Sequence, residues 1–166
     1  MWKATCWGSW NFALNGYVGD WTLRAYLEHY FEDTSQMFWE YGRWKDGLIG
    51  LEVTLPKNRW LSTAVWEGLC TKDQSGPMLY DGFWGQFPEY QISACDSYYN
   101  HYLYGAWQHA GMGMGNPLLP GPAYNDGKIT FRSNQVRAHH LGLTGQPAEE
   151  WNWRVLISIC PSLGYV

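Results

Sequence analysis

The chain has 166 residues and a formal net charge of -4, with 11 Lys and Arg residues against 15 Asp and Glu residues. This length allows one domain or part of a larger one, and the lack of a basic surplus argues against a nucleic-acid partner. Aromatic residues make up 18% of the chain, yet mean hydropathy is only -0.39 and no apolar run reaches about 18 residues, which excludes helical membrane spans.

The first part of the chain predicts a β-hairpin. Over residues 2–18 every even position is apolar or glycine, which is the period of a strand with one apolar face. Gly19 and Asp20 predict a two-residue turn, after which the alternation resumes from Trp21. In this register Val18 and Trp21 are cross-strand neighbours and both are apolar, so the two halves of the hairpin agree.

Two further strands are predicted between residues 46 and 70. Residues 32–36 interrupt the alternation, and residues 37–45 fit either a short aromatic strand or a helical turn. Asp46 and Gly47 are a hairpin signal, and a strand follows over residues 49–55 until Pro56, Lys57 and Asn58 predict a tight turn. Residues 61–70 then read as the return strand, whose facing the pattern leaves ambiguous.

A long surface loop is predicted over residues 71–100, within a single segment that spans residues 1–166. This stretch is rich in Gly, Pro, Asp and Tyr and has no period. Residues 101–113 fit another strand, and residues 116–127 are irregular. Tight turns that alternate with long loops are typical of outer-membrane barrels, whose turns are short on one side and whose loops are long on the other.

The clearest signal is a second hairpin over residues 134–159, with a predicted five-residue connection at 146–150. In its second arm large apolar residues alternate with mostly polar ones, so one face of this strand must lie against an apolar environment. Trp151 and Trp153 stand at the turn end and aliphatic residues follow. Together with Trp21, they are expected to form an interfacial aromatic girdle next to a hydrocarbon band.

Two settings provide one apolar and one polar surrounding: the half-buried sheet of a soluble β-sandwich and a lipid-facing barrel. We expect the second. At about ten residues a strand, the chain holds about eight strands. The predicted fold is therefore all-β, an antiparallel up-and-down transmembrane β-barrel of which this chain forms a part. Open sheet edges would then pair with the remaining strands of the parent barrel.

The polar face of these strands carries the candidate lumen charges, which are Arg24, Glu28, Glu52 and Arg154. Internal ion pairs are their expected role. Glu28 and Glu32 lie about 13 Å apart on one strand, beyond the separation that glycosidase carboxylates use. A hydrolase would need Glu52 or Glu67 as a cross-strand partner, so no catalytic residues are expected.

No metal or other cofactor is expected. His139 and His140 are adjacent strand residues that point to opposite faces, so they cannot easily bind one ion. The four cysteines lack a CxxC spacing and are too sparse for a disulfide scaffold, so free or occasionally paired thiols are expected. They are Cys6, Cys70, Cys95 and Cys160.

Aromatic side chains in the long loop are the candidate glycan-binding residues, because Tyr and Trp rings can stack on sugar rings. They are Tyr80, Phe83, Trp84 and Tyr90.

Several strings of the sequence, taken in order over nearly the whole chain, resemble the capsule assembly Wzi family. They are YFED at 30–33, SQMF at 35–38, WKDGL at 44–48, GLEVTLPKNR at 50–59, TKDQSGP at 71–77, YYNH at 98–101, GMGNPL at 113–118 and RAHH at 137–140. The resemblance implies a non-enzymatic β-barrel in the bacterial outer membrane, with lipid around it, that assembles or retains capsular polysaccharide at the cell surface.

The resemblance also implies more strands than this chain holds. Met1 leads straight into strand-like alternation, so an export signal is expected upstream. Residues 160–166 stand where a further aromatic strand is expected. Two other classes stay open: a secreted soluble β-sandwich that binds or hydrolyses glycans through Glu28, Glu52 or Glu67 with the loop aromatics, and a general diffusion porin, which would carry a polar constriction loop.

Overall fold

A computed structural model of the chain describes most of its regular β-structure. The described residues are 8–31, 46–56, 58–72, 108–109, 112–113, 118, 123–125, 128–130 and 134–164. Within these ranges the structure is all-β, as predicted, and contains no helix. None of the described residues belongs to a helix long and apolar enough to cross a membrane.

Six long strands form one sheet. They are β1 (Gly8–Val18), β2 (Trp21–Phe31), β3 (Gly47–Thr54), β4 (Thr63–Cys70), β9 (Gln135–Ala148) and β10 (Trp151–Ile159). Five shorter strands are β5 (Gln108–His109), β6 (Met112–Gly113), β7 (Ala123–Asn125), β8 (Lys128–Thr130) and β11 (Ser162–Gly164). The long strands pair in the order β1-β2-β3-β4-β9-β10, and every pair is antiparallel.

The antiparallel up-and-down topology was predicted correctly, but the number of strands was not. The described sheet has six long strands instead of about eight, and it is open. Within residues 101–113 the structure describes only β5 and β6, which pair with each other and not with the sheet. β11 continues the line of β10 and pairs with the start of β9, so it lengthens the edge of the sheet and does not add a further strand to it.

The first hairpin forms in the predicted register. β1 and β2 pair from Gly8 with Phe31 to Val18 with Trp21, leaving Gly19 and Asp20 as the turn. Gly19 has a φ of 61°, in the left-handed region that two-residue hairpin turns require and that glycine adopts without steric cost.

The prediction of a five-residue connection at 146–150 was wrong, because β9 continues through Ala148 and only Glu149 and Glu150 form the turn. The register shifts between Trp151 and Trp153. A bulge there accommodates Pro147, which has no backbone N–H to give to a regular ladder. The period of the sequence does not reveal such an irregularity.

The hairpin prediction at Asp46 and Gly47 was also wrong. Gly47 is the first residue of β3 and already pairs with Cys70, while the preceding strand β2 ends at Phe31. Gly47 has a φ of 137°, and a side chain there would meet the backbone carbonyl of Glu28. Glycine is needed at this position for close approach of two strands.

The tight turn after β3 is present. The Asn58 backbone N–H donates to the Leu55 carbonyl at 3.0 Å, and the Asn58 side-chain oxygen accepts from the backbone N–H groups of Trp60 and Leu61, both at 3.1 Å. The Leu55 N–H donates to Ser62 O at 2.8 Å and closes the connection. Asn side chains favour turns because they can hydrogen-bond nearby backbone groups in this way.

The connections distinguish the two ends of the sheet. The turn end carries the short connections, at residues 19–20, 55–62 and 149–150, whereas the loop end carries the residues that join β2 to β3 and β4 to β9. The buried core lies at the loop end, where Leu69, Val136 and Ala138 contact the half-buried Tyr30, Leu48 and Leu118. The buried residues of β2, β3 and β4 thus lie toward the loop end, whereas β10 is exposed along nearly its whole length.

Buried hydrogen bonds join β4 to β9 at the loop end. The Thr71 hydroxyl donates to the Asn134 carbonyl at 2.7 Å and accepts from the Val136 N–H at 3.0 Å. The Thr71 N–H donates to the Val136 carbonyl at 2.9 Å. These bonds fix the pairing of two strands that are far apart in the chain.

We expect Gly50→Ala to destabilise the sheet by about 1–3 kcal/mol, as overpacking does. A Cβ atom at Gly50 would overlap the Tyr26 ring, which crosses the glycine and is held by a hydrogen bond to Glu67. The measurement is the free energy of unfolding, from a denaturant titration followed by tryptophan fluorescence.

Gly16→Ala is the control for this prediction, because nothing lies within 4 Å of a Cβ at Gly16. Its effect should stay within about 0.5 kcal/mol. Equal losses in the two variants would contradict the close contact between Gly50 and Tyr26.

Candidate functional site

Strand register divides the sheet into an apolar face and a polar face. Side chains alternate along each strand and direct cross-strand partners share a face. Phe12, Leu27 and Ile49 are successive partners on the apolar face. Ala13, Tyr26 and Gly50 are successive partners on the polar face. We use these two names for all side chains in register with these sets.

The apolar face is exposed across all six long strands. Phe31 on this face is buried and Leu27 is half-buried, whereas its exposed large side chains range from 38% at Trp10 to 75% at Leu14. They are Trp10, Phe12, Leu14, Val18, Trp21, Leu23, Ile49, Leu51, Trp66, Leu141, Val155, Ile157 and Ile159. Within the described part of the chain, no second layer of protein covers them.

A row of polar side chains crosses the other face. Tyr26, Gly50, Glu67, His140 and Ser158 are successive cross-strand partners from β2 to β10. The Tyr26 hydroxyl reaches over Gly50 and donates to the Glu67 carboxylate at 2.5 Å. His140 Nδ1 and the Ser158 hydroxyl are 2.8 Å apart at the other end of the row. The missing side chain at Gly50 is what lets Tyr26 and Glu67 meet.

Of the candidate lumen charges, all on the polar face, the structure brings Arg24 and Glu52 together. They are cross-strand partners, with the guanidinium 3.9 Å from the carboxylate. Arg24 also lies over the Tyr26 ring, 5.3 Å from its centroid. The side chains of Arg24 and Glu52 are 50% and 32% exposed, so this ion pair contributes at most about 1 kcal/mol in water.

The other two candidate lumen charges lie apart from this pair. Glu28 accepts a hydrogen bond from the Tyr30 hydroxyl at 2.8 Å. Arg154 is the cross-strand partner of Thr144, near the turn end. Both side chains face the same side of the sheet as Tyr26.

The carboxylates weighed as a hydrolase pair are not direct cross-strand partners. Glu28 pairs with Leu48, Glu52 with Arg24 and Val65, and Glu67 with Gly50 and His140. Each carboxylate instead contacts a different neighbour, as described above. Glu32 lies outside the described residues.

The two adjacent histidines face opposite sides, as strand geometry predicts. His139 lies on the apolar face and stacks on Trp66, with ring centroids 5.9 Å apart and an interplanar angle of 21°. His140 lies in the polar row. Among the described residues, no three His, Cys, Asp or Glu side chains come close enough together to hold a metal ion. Cys70 and Cys160 are free thiols, and Cys6 and Cys95 lie outside the described residues.

Exposed tryptophans gather at the turn end. Trp21 is 52% exposed and Trp151 is 73% exposed, whereas Trp153 is half-buried with its ring over Gly145. Trp60, in the connection between β3 and β4, is 73% exposed and also lies at the turn end. The alternation of the sequence did not predict this, because Trp60 is not in a strand. The predicted glycan-binding aromatics Tyr80, Phe83, Trp84 and Tyr90 fall within residues 73–100, outside the described ranges.

Sequence reasoning missed the polar row. The alternation of Arg24, Tyr26 and Glu28 indicated a polar face, but the partner of Tyr26 is on β4, two strands away. The signal that could have revealed it is Gly50, a glycine inside a strand, which often marks close approach of another group.

Comparison with protein-family models, with curated proteins and with solved structures finds no match to the chain.

We expect Tyr26→Phe to lower the free energy of unfolding by about 1.5 kcal/mol, the lower end for a hydrogen bond to a charged group, because the bond is only partly buried. Tyr17→Phe is the control, since Tyr17 is on the same face and 76% exposed, and it should change little. Denaturant titration measures both.

A double-mutant cycle tests whether Glu67 is the acceptor of the Tyr26 hydrogen bond. In a Glu67→Ala background the effect of Tyr26→Phe should disappear, because the acceptor is gone. An undiminished effect would show that the Tyr26 hydroxyl stabilises the protein through another group.

Proposed function

We propose that this sheet is part of the wall of a β-barrel in the bacterial outer membrane. The observation that carries the proposal is the apolar face, exposed across six strands, combined with a polar face that bears hydrogen-bonded and charged side chains. A transmembrane barrel has this arrangement, with apolar side chains toward lipid and polar ones toward the lumen.

The dimensions of the strands support the proposal. β1 and β2 each have 11 residues, β10 has 9 and β9 has 14, whereas β3 and β4 have 8 each. A tilted transmembrane strand needs about 9–11 residues. Soluble monomers rarely expose an apolar patch larger than a few hundred Å², and a continuous patch across six strands would favour aggregation in water. Lipid acyl chains would instead bury it.

The open edges of the sheet support a proposal about a further partner. β1 and β10 are the edges of the described sheet and do not pair with each other. Unpaired backbone N–H and C=O groups cannot be satisfied in hydrocarbon. We therefore propose that the remaining strands of a larger parent barrel flank β1 and β10.

The two ends of the sheet suggest its orientation. Bacterial outer-membrane barrels have short periplasmic turns and longer extracellular loops. The turn end, with Gly19 and Asp20, would face the periplasm. The loop end would face the cell exterior.

The proposed biological role is to assemble or retain capsular polysaccharide at the cell surface, without catalysis. It rests on the resemblance of several strings of the sequence, from residues 30–33 to residues 137–140, to the capsule assembly Wzi family. Tyr80, Phe83, Trp84 and Tyr90 are the proposed polysaccharide-binding residues, because aromatic rings can stack on sugar rings.

A matched pair of substitutions tests the membrane wall. Ile157 and Leu156 are neighbours on β10 but lie on opposite faces, and they are 51% and 69% exposed. In lipid, Ile157→Arg should cost about 2–4 kcal/mol, the penalty for an arginine on the lipid face near the midplane, whereas Leu156→Arg should cost far less. Unfolding free energies of the protein folded in phospholipid vesicles measure both.

On a water-exposed surface both substitutions would be close to neutral, within about 0.5 kcal/mol. Recovery of the wild-type protein from cells as a soluble folded monomer, with both variants equally stable, would rule out the membrane wall and favour a soluble β-sandwich.

The capsule role is tested by replacing Tyr80, Trp84 and Tyr90 together with alanine. Cell-attached polysaccharide should fall and polysaccharide in the medium should rise, because the proposed stacking surface is lost. Trp151→Ala is the control, since Trp151 is an exposed aromatic residue at the turn end. Unchanged retention in the triple variant, with the folded barrel shown by its altered gel mobility before boiling, would contradict the role.

A further inference from the structure

A cavity lies at the turn end, where the apolar face meets the connection between β3 and β4. Its volume is about 520 Å³, and it is lined by Trp21, Leu55, Asn58, Arg59 and Trp60. Two of its walls are thus exposed indole rings, and the charged group among its described lining residues is the Arg59 guanidinium. This combination of aromatic walls and a cation is suited to an amphipathic anion.

The backbone that carries Arg59 is held in place. Gln146 donates its N–H to the Arg59 carbonyl at 2.8 Å, and the side-chain oxygen of Asn58 accepts from the two backbone N–H groups that follow Arg59. Ser62 donates its N–H to the Thr144 carbonyl, also at 2.8 Å. A cation on a fixed loop loses less conformational entropy when it binds an anion.

The Arg59 guanidinium has no carboxylate partner in the described part of the chain. The ion pair described there joins Arg24 and Glu52, on the polar face. Arg59 is exposed at the turn end, so its charge is available to a ligand.

We propose that this cavity binds the phosphate group of a membrane phospholipid, with Arg59 as the phosphate ligand and Trp21 and Trp60 beside the glycerol region. This inference rests on the proposed membrane wall. Trp21 also belongs to the apolar face, so acyl chains can continue from the cavity over Leu23 and Val53. That continuity favours a lipid over a free phosphate ion. Arginine forms paired charge-assisted hydrogen bonds with phosphate oxygens.

The inference also places this phospholipid. With the turn end toward the periplasm, the cavity lies at the inner leaflet of the outer membrane. Arg137 is also an exposed arginine, but it lies at the loop end and is not part of the proposed phospholipid site.

Native mass spectrometry of the full-length protein in an uncharged detergent tests this site, with dimyristoyl phosphatidylglycerol as the probe. The wild-type protein should retain one lipid molecule. Arg59→Gln should weaken retention about tenfold, the loss expected for a charge-assisted hydrogen bond. Arg137→Gln is the matched control, an exposed arginine at the opposite end of the sheet, and should bind as the wild type does.

Equal losses in Arg59→Gln and Arg137→Gln would show general attraction of arginine to lipid and would overturn the site. Inorganic phosphate added at the same concentration should not displace the lipid. Displacement would identify a free-phosphate site and would overturn the lipid assignment.

Lipids with brominated acyl chains separate this inference from the proposed function, because bromine quenches tryptophan fluorescence on contact. If the wild type and Arg59→Gln are both quenched and retain phosphatidylglycerol equally, the proposed phospholipid site is contradicted, whereas the proposed membrane wall is supported. Absence of quenching in the wild-type protein in vesicles would contradict the proposal that the sheet is part of a membrane barrel.

Discussion

The continuous antiparallel register from β1 to β10 is the constraint on which the rest of this structure depends. Alternation within one strand only assigns residues to two sides. Register aligns six such alternations, so that the exposed apolar side chains from Trp10 to Ile159 share one face, whereas the polar row and the small buried core share the other. A slip of one residue at any pair would move that strand's apolar side chains to the polar face.

Glycines opposite aromatic rings help to hold this register. Tyr26 covers Gly50, Phe31 covers Gly8, and Trp153 covers Gly145. In each case the ring fills space that a side chain on the neighbouring strand would occupy, and so a shifted register would place a bulky residue against the ring. The Tyr26 hydroxyl adds a directional bond to Glu67, which links strands that are not neighbours in the sheet.

The distribution of burial shows that the apolar face of the sheet needs a cover that the described residues do not provide. The described core is small and lies at the loop end, where Val136 and Ala138 are at most 1% exposed. Its side chains are in register with the polar face, so the apolar face lies outside that core. A sheet of this kind gains little hydrophobic stabilisation from its own described residues, so its stability depends on what covers the apolar face. Lipid and flanking strands, as proposed, would supply that cover.

The sequence by itself determined the all-β class, the two faces, the Gly19 and Asp20 turn and the opposite facing of His139 and His140. These are local properties, because a period of two and a turn dipeptide are read within a few residues. The tertiary structure alone decided the pairing of β4 with β9, the bulge beside Pro147, and the row that joins Tyr26, Gly50 and Glu67. Those features depend on hydrogen bonds between residues far apart in the chain, and no local pattern specifies which distant residues meet.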